Sequence, residues 1–179
     1  PGLNSFVNRP IGVNGAVPKL AEALTVESAG GYKGRPREVP STGNRVWARF
    51  GTPELRLSSI PVSHSDIPTI AWRVDIDNYS LVFTGSFNNQ KNQVAKFAKN
   101  ADALVMPHAI PEISRGKLRD TYVLPSQIGR IAQQADARMV ILGHRTNRTK
   151  GRESQSRQSI EKHYQKDIIF ADDMECWGL

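Results

Sequence analysis

The sequence predicts a layered α/β fold of mixed (α+β) type. Three observations carry that prediction. Short apolar runs alternate with helical patterns from residue 55 onward. One of those runs, "MVILG" (139–143), is apolar almost throughout, as a strand covered on both faces requires. The chain's 179 residues, 39% of them hydrophobic, suffice for one domain with a real core.

Residues 1–54 read as a connecting region rich in Gly, Pro, Asn and Ser. It holds one helix, Val17 to Val26, whose Leu20, Ala23 and Leu24 share a face. From Leu55 to Leu179 the chain reads as the single domain. "LRLSSIPV" (55–62) alternates Leu55 and Leu57, then slips to Ile60 and Val62, which predicts a strand with a bulge. "IAWRVDI" (70–76) and "SLVF" (80–83) flank Asp77-Asn78-Tyr79, a hairpin turn in which Asn tolerates positive φ.

Val94, Phe97 and Ala98 fall on one face of a helix over 90–100. "ALVMP" (103–107) is a short buried strand. Ser126 to Ala135 is a helix with Ile128, Ile131, Ala132 and Ala135 inward and Pro125 at its threshold. A helix over 153–164 and a strand over 168–171 complete the pattern, with no internal repeat.

Bulk properties narrow the function. No run of eighteen apolar residues exists, so no membrane helix is expected. A lone cysteine, Cys176, can form neither an internal disulfide nor a thiolate metal site, which suits a reducing, cytoplasmic setting. The formal charge of +7 is concentrated between 138 and 166, where Arg and Lys face only Glu153 and Glu161. That segment reads either as a solvated face or as a surface for phosphates, including those of nucleic acid. The opening "PGLNSFVNRP" reads like the middle of something longer.

Three of the four histidines stand at strand ends: His64 after "SSIPVS", His108 after "ALVMP", and His144 after "MVILG". Strand ends on one edge of a sheet are gathered by folding, and imidazoles gathered there are what a metal or acid/base site needs. Arg145 and Arg148 follow His144 in a basic loop that opens a helix near Glu153. They either meet a substrate anion or solvate the loop.

Four stretches together carry a resemblance: "IPVSHSDIPTIAWRVDIDNYSLVFTGS", "NADALVMPHAIPE", "LPSQIGRIAQQADARMVILGHRTNRT" and "IEKHYQKDIIFADDMECW". In order and spacing they resemble the second half of the metallo-β-lactamase superfamily, above all its ribonuclease-Z-like metal-dependent hydrolases. The likeness covers roughly residues 55–177. It implies an αββα sandwich in which one or two divalent ions, usually zinc, activate water at the edge of two sheets to attack an ester or phosphodiester. By the same resemblance, His64 matches the metal-binding histidine of an H-x-x-x-P stretch, and His144 matches the ligand that ends the later strand. His108 is a further candidate ligand, and Asp172 would orient a loop or a histidine.

The chain departs from that pattern in three places. Ser86, in "FTGSFNNQ", stands where the family carries the aspartate that bridges two metals. A hydroxyl is the poorer ligand, which implies a weakened or absent metal site. Tyr122 stands where a histidine can serve as proton donor, and a phenol is the weaker acid at neutral pH. The His-x-His-x-Asp-His motif does not occur. Two functions follow as expectations: a metal-dependent hydrolase, or a degenerate, non-catalytic scaffold for binding. Half a sandwich also predicts a sheet face covered by a missing N-terminal half or by a second copy in a homodimer.

Overall fold

A computed structural model describes residues 39–178. The chain divides into two compact units, Pro1–Val39 and Pro40–Leu179, and the second is the one described. The helix expected over Val17 to Val26 lies outside the described residues.

Seven strands form one sheet in chain order: β1 (Trp47–Gly51), β2 (Leu55–Val62), β3 (Thr69–Ile76), β4 (Tyr79–Phe83), β5 (Ala103–Pro107), β6 (Met139–Gly143) and β7 (Asp167–Phe170). β1 to β4 pair antiparallel, and β4 to β7 pair parallel. The parallel strands need crossovers. Helix α1 (Val94–Phe97) lies between β4 and β5, α2 (Lys117–Thr121) and α3 (Pro125–Ala135) between β5 and β6, and α4 (Glu153–Glu161) between β6 and β7.

Helices α1, α3 and α4 share one core with one face of the sheet. Val94, Phe97, Ile128, Ile131 and Ile160 cluster with Ile60, Val82, Leu104, Val140, Leu142 and Ile168. Full burial of one such side chain contributes about 1.5–3 kcal/mol. The opposite face carries a second apolar group in which Ala103, Met139 and Ile141 are buried beside Leu81, Val105 and Ile169. β6 is therefore apolar on both sides, which explains its unbroken hydrophobic run. Farther along that second face Phe83 is 43% exposed. Gly129 lets α3 meet α4 closely, since a Cβ there would stand 2.4 Å from the Ile160 carbonyl oxygen.

Several expectations need correction. β2 has no bulge against β3, because their register runs unbroken from Leu55↔Ile76 to Val62↔Thr69. The slip in its pattern is a change of face: Ile60 and Val62 enter the helix-side core, while Leu55 and Leu57 have the opposite parity. The irregularity lies instead between β1 and β2, at Ala48/Phe50. In the hairpin the positive φ belongs to Asp77, not Asn78. The helix over 90–100 contracts to α1 because Asn89, Asn92 and Asn100 adopt left-handed φ values of 61°, 46° and 56° on either side of it. α4 ends at Glu161 rather than 164. β1 falls inside the segment read as connection, and α2 went unread because it buries no residue.

Proline starts α3, where its missing N–H has no partner to lose. Glu112 caps that end, accepting hydrogen bonds from the Ser126 backbone N–H at 2.8 Å and from its hydroxyl at 2.7 Å. No helix among the described residues is long and apolar enough to cross a membrane.

Candidate functional site

β2, β4, β5 and β6 all finish on the same edge of the sheet. β2 and β4 are each antiparallel to β3, and β4 to β6 are mutually parallel. The chain leaving β2 reaches His64, that leaving β4 reaches Ser86, and that leaving β6 reaches His144. Residues just past the carboxyl ends of such strands are the usual place for a site in open α/β sheets.

The turn holding Ser86 is tightly built. Thr84 N–H donates to the Val105 carbonyl at 3.1 Å, and Gly85 follows with φ 61°, a left-handed value that favours glycine. Phe87 is fully buried and anchors the far side. Asn88, also buried, then ties three segments together. Its backbone N–H donates to the Ser63 carbonyl at 2.8 Å, its side-chain N–H donates to the Asp120 carbonyl, and its oxygen accepts from Gln90 N–H at 3.0 Å. Asn88→Ala should therefore destabilise the protein by about 1–2 kcal/mol, since it removes two side-chain hydrogen bonds made by a buried residue. A urea midpoint unchanged from the parent would refute that role.

His64 is fixed from below. Its Nδ1–H donates to the Thr121 carbonyl at 2.9 Å, which sets the tautomer and leaves Nε2 as the lone-pair nitrogen. Metal-binding histidines are commonly held in this way. The same residue, Thr121, ends α2 and delivers Tyr122, whose N–H donates to the Leu118 carbonyl at 2.9 Å. The phenol ring then stands beside both imidazoles: its centroid is 5.3 Å from that of His64 and 5.7 Å from that of His144. Ser86 Oγ lies 3.4 Å from Nδ1 of His144, which is solvent-exposed and has φ 49°. His64, Ser86, Tyr122 and His144 thus form one cluster.

The remaining sequence candidates go elsewhere. His108 follows β5, but it is 1% exposed and its Nε2 is 2.8 Å from the Ser156 hydroxyl on α4, with the Phe170 ring edge-on at 5.2 Å. Its imidazole therefore belongs to the core beneath α4 rather than to the cluster, and burial holds it down to a pKa of about 4. Arg145 is paired with Asp172, and with Glu153 at 3.5 Å, so two carboxylates already offset its charge. Asp172 accordingly orients an arginine. Hydrogen bonds from backbone N–H groups at the start of α4, together with Arg145, hold the Glu153 carboxyl below the usual range. Arg148 is exposed on the same loop.

The basic segment is likewise partly matched. Arg138 pairs with Asp102 at 3.2 Å, Lys166 with Asp136 at 2.7 Å, and Arg157 with Glu161 at 3.7 Å. Sequence reasoning missed Asn88 and Thr121. The "FNNQ" run was a legible signal for the first, whereas the second acts through a backbone carbonyl and leaves none.

As donors for a metal the cluster offers two imidazoles, a hydroxyl and a phenol. No group of three His, Cys, Asp or Glu able to hold an ion occurs among the described residues. The set suits part of the coordination sphere of one ion. It does not suit a two-metal site, which needs a bridging carboxylate where Ser86 stands.

No protein-family model matches the chain, and no curated protein matches it. Solved structures do. The metallo-β-lactamase fold protein YhfI from Bacillus subtilis superposes with a TM-score of 0.63 at 19% identity, covering 72% of this chain and 52% of that one. The short form of human tRNase Z gives a TM-score of 0.56 at 16% identity, covering 73% and 44%. The chain thus spans about half the length of the structures it matches. At such identities the likeness is one of architecture, and the architecture of this chain is the metallo-β-lactamase fold.

Proposed function

We propose that the chain supplies part of the active site of a metal-dependent hydrolase acting on an ester or phosphodiester. The observation that carries this reading is His64, whose Nδ1–H is committed to the Thr121 carbonyl so that Nε2 is free within the cluster containing His144. His64 and His144 would hold the ion, with further ligands coming from beyond the described residues. A divalent ion in such a site supplies a water nucleophile near neutral pH and a Lewis acid for the scissile bond. Tyr122 stands between the imidazoles as the candidate acid, and Arg148 is the exposed cation available to a substrate anion.

A phosphodiester substrate could be nucleic acid. The tRNase Z likeness and the +7 charge support that class, and the pairing of Arg138, Arg157 and Lys166 limits how much of that charge is free. RNA binding by this surface should weaken steeply with salt, in proportion to the phosphates contacted.

The test is metal content. After chelation and reconstitution, the protein in its longest natural form should retain about one zinc or manganese per chain, the occupancy of a single catalytic site. Substoichiometric metal in that form rejects the reading. Ser86 favours a second reading, a scaffold that binds without catalysis. On it, the double variant Ser86→Asp/Tyr122→His should hydrolyse an ester panel faster than the parent. Equal rates would remove the second reading.

A further inference from the structure

We propose that the chain carries a second binding site, a cavity between β2, β3 and α1 that takes a small organic carboxylate with an apolar body. The site does not depend on the metal reading. Its lining along β2 stops at Ile60, short of the edge that carries the cluster, and includes none of His64, Ser86, Tyr122 or His144.

The cavity measures about 640 Å³, within the range of small-molecule sites. Strand alternation builds its floor. Arg56, Ser58 and Ile60 fall on one face of β2, and Asp75 and Arg73 lie directly across from Arg56 and Ser58 on β3. Phe97 of α1 and Val46, on the approach to β1, add apolar wall. Ile60 and Phe97 are buried, whereas Val46 is 57% exposed and leaves that wall open to solvent.

The polar groups divide into committed and uncommitted ones. Arg73 is committed: its Nε donates to Asp75 at 2.8 Å and its Nη2 to the Ser80 hydroxyl at 2.7 Å. Its Nη1 donates to the carbonyls of Phe97 and Lys99 at 3.2 and 2.9 Å. The same pairing offsets the charge of Asp75. Arg56 comes no nearer to that carboxylate than 3.8 Å, and its side chain is exposed. Lys96, also exposed, pairs with no carboxylate among the described residues. Three cations thus line the cavity against one carboxylate, and Arg56 and Lys96 are the two in surplus. Ser58 supplies a further donor. It is 7% exposed, yet its hydroxyl bonds to nothing among the described residues. A buried hydroxyl without a partner costs stability, and a ligand oxygen would satisfy it. A planar guanidinium fork, an ammonium and a free hydroxyl over an apolar floor suit a carboxylate joined to an apolar body.

The experiment titrates 2-naphthoate into the purified full chain and follows backbone amide shifts by NMR. Saturable binding with a Kd below about 1 mM is expected, with the largest shifts around Ser58, Ile60 and Phe97. The uncharged isostere 2-naphthamide should bind at least about tenfold more weakly. Arg56→Gln/Lys96→Gln alters only exposed side chains. It should cost 2-naphthoate at least about tenfold in affinity and leave 2-naphthamide unchanged, which a collapsed cavity would not do. Equal affinity for acid and amide, or a double variant that loses both alike, overturns the carboxylate assignment. Shifts centred on His64 and His144, or no saturation by about 10 mM, overturn the site itself.

Discussion

Ser86→Asp should tighten the binding of zinc or manganese by at least about ten- to a hundredfold, the range that loss of even an outer-sphere partner produces at metal sites. Ser86 is presented by a turn that Thr84, Gly85 and Asn88 hold rigidly, and its oxygen already lies 3.4 Å from the imidazole of His144. A carboxylate there extends one bond farther and adds a full negative charge, which a hard or borderline cation favours over a neutral hydroxyl. Ser86 is only half-buried, so the larger side chain needs no repacking. Competition against a chromophoric chelator reads the change directly. If the variant binds no more tightly than the parent, then this turn does not face a metal, and the cluster is an arrangement of packed rings.

How far such a site can be read in a sequence depends on what carries the information. His64, Ser86 and His144 were legible because each follows an apolar run, and strand ends collect on one edge whatever their separation along the chain. α3 and β6 were legible for a similar reason: Ile128, Ile131 and Ala132 repeat at helical spacing, and Met139 to Leu142 have neighbours on both faces. His108 shows the limit. A strand-end position says which edge a residue reaches, but not which way its side chain turns. Residue 108 keeps the alternation of Leu104 and Met106 and so faces the helices. α1 was overestimated because apolar spacing ignored three asparagines that favour left-handed backbone. β1 was hidden by its surroundings, since its five residues, WARFG, were read together with a longer segment rich in Gly and Pro. The support from Thr121 and Asn88 involves backbone groups brought together only by the fold.

Acidification should weaken the fold through His108, by about 2–3 kcal/mol between pH 7 and pH 4.5. His108 is buried against Ser156 and Phe170, and that burial lowers its pKa to about 4 from an ordinary value near 6.5. The sign follows from proton counting. Above the ordinary value the imidazole is neutral in both the folded and the unfolded chain, so it contributes no pH dependence. Between 6.5 and 4 the unfolded chain takes up a proton that the folded chain refuses, and stability falls as pH falls. Below about 4 both states are protonated and the loss levels off. Carboxyls held low in the fold, such as Asp75, whose partners are Ser80 and Arg73, act in the same direction but at lower pH, where the unfolded chain's carboxyls take up protons. A variant isolates the histidine. In His108→Leu/Ser156→Ala both members of the buried pair become apolar together, which avoids leaving either one unpaired. Urea unfolding at pH 7 and pH 4.5 should show this double variant losing 2–3 kcal/mol less than the parent over that interval, within an uncertainty of about 0.5 kcal/mol. Equal losses would mean that the imidazole can be charged inside the fold. It would then need an anionic partner or water within reach, and its place in the core beneath α4 would have to be reconsidered.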